Sequence, residues 1–317
     1  MTGKEAKIAR VVERPSSLDV EQRSEAAPDL ASASGELVPM LTELNAPWPK
    51  VTVVIPTLNE ARNLPHVFAK LPQGLHEVIV VDGNSVDDTV ATARMLRPDV
   101  RIITQNRCGK GNALACGFAA ATGDVIAMVD ADGSADPAEI PQFVQALLDG
   151  ADFAKGTRFA DGGGSSDITR LRRLGNWVLS TMVNLLCRTK YSDLCYGYNV
   201  FWRHHVPVFG LDVQQDIPVG SGTRLWGDGF EVETLINIRI AQAGLKVSEV
   251  ASYEHSRIHG VSNLNAASDG WRVFRTIIAE RYYYRQRKVH GEPASPGTPL
   301  RWQRSALAEF VSGRRNK

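Results

Sequence analysis

Cysteine is scarce in this chain of 317 residues: four stand at positions 108, 116, 187 and 195, with no C-x-x-C pair among them. That spacing argues against a zinc site, and so few thiols build no disulfide framework in a chain this long. A reduced, cytoplasmic setting is the expectation. Net charge is nearly missing as well: 36 Lys plus Arg stand against 35 Asp plus Glu, which excludes the broad basic footprint of a nucleic-acid partner. No apolar run approaches the roughly 18 residues of a spanning helix; the longest candidate, 177–187, is interrupted by Ser180, Thr181 and Asn184. The opening MTGKEAKIARVVERPSS lacks a signal peptide's apolar stretch. No internal repeat and no G-x-S-x-G elbow occurs. What is present is 43% hydrophobic and 22% charged residues, enough for a full globular core.

Residues 1–48 are rich in Ser, Ala, Glu and Pro and read as a disordered arm with a short helix at 37–44. Order is expected over 49–290, followed by a low-order tail at 291–317 with a short helix near 306–311. VTVVIPT at 51–57 is a continuous β-branched run of buried parallel-strand type. The pattern then alternates: helix 59–70 with Asn59 as N-cap, strand 76–82, helix 87–97, strand 101–105, helix 111–121 and strand 124–130. Such alternation means βαβ units, a parallel sheet and right-handed crossovers. Beyond residue 160 regularity falls. A Gly-rich loop at 161–166 precedes ITRLRRLGN and an amphipathic helix to about 189, then strand-like YGYNVFW at 196–202 and an irregular stretch at 214–228. A helix at 231–243, a strand at 246–252 and a long helix at 265–287 close the span.

Parallel sheets bind ligands beyond the carboxyl ends of their strands, and three strand ends here carry polar chemistry. DVIAMVDADG runs into Asp130-Ala131-Asp132. D-x-D is common in surface loops, but at a strand end, where the chain turns, both carboxylates can face one cation. Hard oxygen donors suit Mg²⁺ or Mn²⁺, which bridges the oxygens of a diphosphate. In IPTLNE, Pro56 removes an amide donor and stops the first strand, after which Asn59 and Glu60 offer polar groups. In VDGNSVDDT, Asp82 ends the second strand and suits a nucleobase or ribose hydroxyl, while Asp87 or Asp88 caps the next helix.

At these residues the chain resembles family 2 glycosyltransferases, inverting nucleotide-sugar enzymes, and among them the branch of dolichol-phosphate mannosyltransferase and bacterial polyprenyl-phosphate glycosyltransferases. The matching stretches are VVIPTLNE, EVIVVDGNSVDDT, GKGNAL, GDVIAMVDADGSADP, GTRF, DLCYGYNVFWR and RIHGVSNL, in the family's order between about 51 and 275. The resemblance implies an α/β GT-A fold: a single Rossmann-like domain, its mostly parallel sheet flanked by helices, with a nucleotide-sugar and metal half at 49–160 and an acceptor half at 161–290. It implies that Pro56, Thr57, Asn59, Glu60, Asp82, Ala131 and Arg158 bind the nucleotide sugar, a UDP- or GDP-hexose, with Lys110 near the base or phosphates. Asp130 and Asp132 would hold Mg²⁺ or Mn²⁺, and Arg257 and Ser262 would form an Arg-x-x-Gly-x-Ser flap over the diphosphate. Ser134 stands where this branch often has Gln or His, and Asn263 where Lys is frequent.

Displacing a nucleoside diphosphate from an anomeric carbon requires its charge to be neutralised, work suited to a divalent ion and Arg257. A polyprenyl-phosphate acceptor is already anionic and needs no base, whereas a hydroxyl on a small molecule or lipid needs a carboxylate within reach. Asp228 and Glu231 in GDGFEVE are the candidates for that base, although acids at a helix start also answer the macrodipole. Asp193 is a further polar group for the acceptor. Arg170, Arg172 and Arg173 suit an acceptor phosphate or a solvated face. His255 is a candidate third metal ligand, and His259 shares a face with it only on a helix that Gly260 opposes. Trp271, Phe274, Ile277, Ile278 and ERYYYRQRK fit core packing or peripheral contact with the inner membrane face. Two rivals remain. GSGTRL at 220–225 is similar to the Gly-rich signature of sugar-nucleotide pyrophosphorylases, but it follows a proline-broken segment deep in the chain. A non-catalytic nucleotide-sugar-binding protein is the other.

Overall fold

The β-branched runs become strands where turn chemistry bounds them: β1 (Val51–Thr57), β2 (Glu77–Asp82), β3 (Arg101–Thr104), β4 (Val125–Met128) and β5 (Phe153–Thr157). Later in the chain come β6 (Gly164–Ser165), β7 (Asn199–Trp202), β8 (Val247–Ala251) and β9 (Tyr253–Glu254). Between them lie α1 (Leu64–Ala69), α2 (Thr89–Leu96), α3 (Lys110–Ala120), α4 (Ile140–Leu148), α5 (Arg170–Cys187), α6 (Val206–Phe209) and α7 (Val232–Gln242), with α8 (Ala266–Val289) last. This computed structural model describes residues 48–211, 213, 225–260 and 266–289. The expected arm and tail, their short helices and the GSGTRL glycines therefore lie outside the described residues.

Seven strands form one sheet in the order β3-β2-β1-β4-β7-β5-β8. All neighbours are parallel except β7, which runs antiparallel to both β4 and β5. Periodicity reports that a segment is a strand and not which way it runs, so this reversal had no signature in YGYNVFW. The strand also starts only at Asn199, three residues later than the pattern suggested. The order reverses between β1 and β4, and there the ladder opens. Pairing of β1 with β4 ends at Val54 opposite Met128, whereas pairing with β2 continues to Thr57 opposite Asp82. Pro56 falls beyond the last β4 pair, so its missing amide costs that ladder nothing. The result is a crevice at the switch point, the usual ligand position in open α/β sheets.

Alternation along the strands feeds two cores. Val53, Ile55, Val80 and Ala127 pack with Leu64, Val67, Phe143 and Leu147 on one face. Val54, Ile79, Val81 and Met128 pack with Leu114, Phe118, Phe209, Val232 and Ile236 on the other. The aromatic centre of that second core is tight: Phe201 stacks on Phe153 at 5.4 Å and meets Phe209 edge-on at 4.8 Å. A third cluster joins α5, α7 and α8 through Val183, Tyr191, Leu194, Ile238, Val273 and Ile277.

One departure concerns α1. Asn59 does not cap it: its φ of 58° places it in the left-handed region, which Asn tolerates through local side-chain bonds. The helix begins five residues later, with Asn63 at the N-cap and a proline in the first turn.

At the opposite end of the sheet, Glu77 fastens three segments. Its Oε1 accepts from Thr52 Oγ1 (2.8 Å), Thr122 N (2.6 Å) and Thr122 Oγ1 (2.7 Å). Burial pushes this carboxyl up, and the three donors outweigh it, so it sits below an ordinary glutamate. A depressed folded value means that the contribution is complete above the unfolded value and fades as pH falls through the folded one. Glu77→Ala should therefore cost about 1–3 kcal/mol at pH 7. In urea titrations that difference should shrink steadily as pH is lowered below about 4.

Candidate active site at the strand ends

The loops after β1 and β2 are laced together before any ligand arrives. Asn59 donates its amide to Ser85 Oγ (2.9 Å) and accepts the Val86 amide on Oδ1 (2.8 Å), while the Glu60 amide donates to Thr89 Oγ1 (2.8 Å). Asp82 accepts the amides of Asn84 (3.1 Å) and Ser85 (3.2 Å), closing an Asx turn around Asn84 at φ 66°. Thr57 is buried beside it. Asp87, not Asp88, takes the Thr89 amide at the start of α2 (3.0 Å). It also accepts from Ala61 N and from the Thr89 hydroxyl. Burial raises Asp87, and these donors more than reverse it, leaving the carboxyl below its ordinary value.

Beyond β4 the two aspartates each meet a cation. Asp130 Oδ1 lies 2.7 Å from Lys110 Nζ, and the same ammonium lies 2.7 Å from Glu233 Oε1. Asp132 Oδ2 lies 3.0 Å from Arg257 Nη2, whose Nη1 lies 3.0 Å from Glu60 Oε1. Four carboxylates thus share two cations. Burial pushes Asp130 up; Lys110 opposes the shift, and the charges of Asp132 and Glu233 add to it. Burial pulls Lys110 down, and its two carboxylates overcome that, holding it above an ordinary lysine. Glu60 is raised, because burial exceeds what Asn63 and Arg257 restore.

The segment carrying Arg257 is pinned across both strand ends. Asn63 accepts the His259 amide (2.9 Å) and donates to its carbonyl (3.2 Å). Ile258 N donates to Asp132 O (3.3 Å) and His255 N to Ser134 O (2.8 Å). Gly133, at φ 76°, lets the chain turn under Ile258, whose Cδ1 would lie 2.6 Å from an added Cβ. Ser262 falls outside the described residues.

Several expected site residues are engaged with other protein groups. Arg158 and Asp193, read as donor-side and acceptor-side groups, pair with each other: Nε to Oδ2 at 2.6 Å and Nη2 to Oδ1 at 2.8 Å. Arg158 Nη1 takes Glu254 at 2.9 Å, its guanidinium lies 5.0 Å from the Tyr196 ring centroid, and both paired residues are buried. Asp228, read as a candidate base, is buried in a fork with Arg107, each contact 2.9 Å, and accepts Leu225 N at 2.7 Å. Glu231 accepts the amides of Gly227 and Gly229, both at 3.3 Å. These acids build the approach to α7, because the Asp228 carbonyl accepts the Gly111 amide (2.9 Å) at the start of α3. A Cβ on Gly111 would stand 1.8 Å from Gly227 O, so only glycine lets the two segments touch there. Arg170, Arg172 and Arg173 lie in the first turn of α5, where Arg172 pairs with Asp167 (2.7 Å) and Arg173 lies 5.7 Å from the Phe159 centroid.

The His255 ring lies against Tyr253 (4.9 Å). Among the described residues no three His, Cys, Asp or Glu side chains are grouped to hold a metal, so the structure does not join His255 to the aspartate pair. Two carboxylates remain as protein donors. They fit a small divalent ion on two grounds: side chains 34% and 18% exposed are within reach, and the cluster carries more acids than cations. Mg²⁺ commonly uses one or two carboxylates and fills its shell with water and substrate phosphate. Sequence reasoning missed Glu233, Asn63 and Arg107. Glu233 stands in GDGFEVE behind Asp228 and Glu231, the two acids that drew attention first; Asn63 and Arg107 belong to no motif.

The comparisons agree with this geometry. A family model described as Glycosyl transferase family 2 matches residues 52–207. An uncharacterised glycosyltransferase of Mycobacterium tuberculosis is 31% identical over 224 residues, 69% of this chain and 92% of that protein. The dolichol-phosphate mannosyltransferase of Pyrococcus furiosus is 32% identical, over 77% of this chain and 65% of that protein. Among solved structures, glucosyl-3-phosphoglycerate synthase from Mycobacterium tuberculosis, in complex with Mn²⁺ and UDP-glucose, superposes with a TM-score of 0.55 at 22% identity, over 74% of this chain and 79% of that one. The fold is GT-A, and the chain belongs to glycosyltransferase family 2. It is an enzyme of sugar transfer.

The pairing of Asp228 makes a direct prediction. Asp228→Asn should lower unfolding stability by about 3–5 kcal/mol, the cost of breaking a buried ion pair from one side. A catalytic base would instead show a large loss of kcat with little change in the denaturation midpoint.

Proposed function

We propose that this glycosyltransferase moves a hexose from a UDP- or GDP-linked donor to a polyprenyl phosphate, with inversion and with a divalent ion held by Asp130 and Asp132. The observation that carries this reading is the strand-end cluster, in which four carboxylates share Lys110 and Arg257. A bound Mg²⁺ or Mn²⁺ would supply Lewis-acid neutralisation of the departing diphosphate. Lys110 and Arg257 add positive charge at the same place, and Pro56, Thr57, Asn59, Asp82 and Ala131 bound the nucleotide end of the crevice. The Mn²⁺ and UDP-glucose bound by the glucosyl-3-phosphoglycerate synthase support the donor class.

Three observations favour a phosphate acceptor. Of the two candidate bases, Asp228 is buried and fork-bonded to Arg107 and Glu231 is buried with Oε1 on backbone amides, whereas an anionic oxygen needs no base. The Pyrococcus relative is named for transfer to dolichol phosphate. Finally, α5 exposes Leu171, Leu174, Trp177, Val178 and Leu185 along one flank, beside the arginines of its first turn. Apolar plus cationic surface on one helix suits an anionic bilayer. No helix among the described residues is long and apolar enough to cross a membrane. In this reading the span 49–290 works as one catalytic unit resting on the membrane's inner face. Transfer to a hydroxyl is the competing outcome of the acceptor assay.

A ligand at a hundredfold its Kd adds about 2.7 kcal/mol of stability. With Mn²⁺, either UDP- or GDP-sugars should therefore raise Tm in a thermal-shift panel. Asp132→Asn should keep the fold and lose the Mn²⁺-dependent part; an unchanged Mn²⁺ response would sink the metal assignment. Product should form with polyprenyl phosphate and not with the dephosphorylated alcohol. Trp177→Ser with Leu174→Ser should lower co-sedimentation with phosphatidylglycerol vesicles several-fold, by about one apolar anchor each. Nucleotide-sugar turnover in detergent should be unaffected.

A further inference from the structure

Lys110 is held by one acid more than its charge requires. Its ammonium contacts both oxygens of Asp130, at 2.7 and 2.9 Å, and Glu233 Oε1 at 2.7 Å. Glu233 is buried for this contact, its side chain only 10% exposed, and burying a second carboxylate is unfavourable unless it does something. The arrangement is built from three directions. Lys110 opens α3 and Glu233 lies in the first turn of α7. Gly197 closes the third side, where a Cβ would stand 3.0 Å from Glu233 Oε1 and 3.3 Å from Lys110 Nζ. Arg257 repeats the pattern between Asp132 and Glu60. Each aspartate of the D-x-D pair therefore shares its cation with a glutamate from another element.

We infer that Glu233 is a positioning residue that keeps Lys110 in the crevice when Asp130 turns to a divalent ion, so that the ammonium remains available to the donor's diphosphate. The inference rests on the metal-assisted reading above and extends it to a residue with no assigned role. Both oxygens of Asp130 face Lys110, so a divalent ion bound there would share them with the ammonium and weaken its hold. Without Glu233, Lys110 stays with Asp130 and competes with the ion; with Glu233, it is handed over and held. Glu60 stands in the same relation to Arg257.

The sign of one binding change tests this. By charge alone, removing Glu233 takes a negative group away from an anionic ligand and should tighten diphosphate binding. Positioning demands the opposite. In calorimetric titrations of UDP and of GDP at saturating Mn²⁺, Glu233→Gln should weaken binding by about tenfold, the scale of one charge-assisted hydrogen bond. Lys110→Gln should weaken it similarly, and the double variant should be no weaker than Lys110→Gln, because both act through one ammonium. Glu233→Asp keeps the charge but withdraws it by a methylene, and it should also weaken binding. It carries the test if the glutamine variant fails to fold. Tighter or unchanged binding in the Glu233 variants, or multiplying effects in the double variant, would overturn the inference while leaving the transferase reading intact. Wild-type protein that binds neither UDP nor GDP would remove that reading and this inference together.

Discussion

Two cations bridging four carboxylates, three beyond the ends of β1 and β4 and one in the first turn of α7, are the constraint around which the crevice is organised. Such a cluster cannot be explained as a source of stability. Removing charges from water is expensive, and well-packed apolar groups would often do as well or better. What the cluster fixes is position. Arg257 ties the segment after β9 to both β1 and β4, and Lys110 ties the starts of α3 and α7 to β4. An excess of acids over cations leaves the cluster electrostatically unsatisfied in the direction a divalent ion would relieve.

The surrounding buried pairs make that position reproducible. Arg107 and Asp228 lock the loop before α3 to the turn before α7, and the Gly111 amide meets the Asp228 carbonyl where no side chain would fit. Arg158 spans Asp193 and Glu254, joining the end of β5 to the loop before β7 and to β9. Both forks use arginine, whose planar guanidinium meets a carboxylate through two parallel bonds and so sets orientation as well as distance. They fix the segments that lead to Lys110 and to Arg257, and mobile acids in their place would leave those two cations without fixed bearings.

This division explains what was legible in the amino-acid sequence. Strand-helix alternation from Val51 to Asp130 and the acids at three strand ends follow from local patterns, whereas the GT-A fold was implied by the family resemblance, carried by motifs up to about residue 275. The direction of β7 was not legible, because period-two alternation is the same in either direction. Nor could an acid's role be read from its type. Asp228, Asp193 and Glu233 all sit in short polar stretches near helix starts or turns, and only their three-dimensional partners separate frame from crevice. Arg158 shows the same limit: a motif places an arginine near a site without saying which carboxylate it reaches.

The fate of those acids bears on the chemistry of the acceptor. An alcohol must lose a proton as its oxygen attacks, so a transferase acting on hydroxyls must keep a carboxylate or imidazole free to receive it. Here Asp193 and Asp228 are bonded to arginines, Glu60 and Glu233 meet the cations of the cluster, and Glu231 gives Oε1 to backbone amides while its Oε2 lies 3.9 Å from Arg272 Nε. A phosphate oxygen brings its own negative charge and makes no such demand. Its requirement is positive potential to offset two anions meeting at one carbon, the acceptor's phosphate and the donor's diphosphate. The four carboxylates on Lys110 and Arg257 leave that cluster short of positive charge, so in the proposed reading a bound divalent ion would supply the balance. In that reading, local placement of charge rather than overall charge would suit the protein to join two anionic partners.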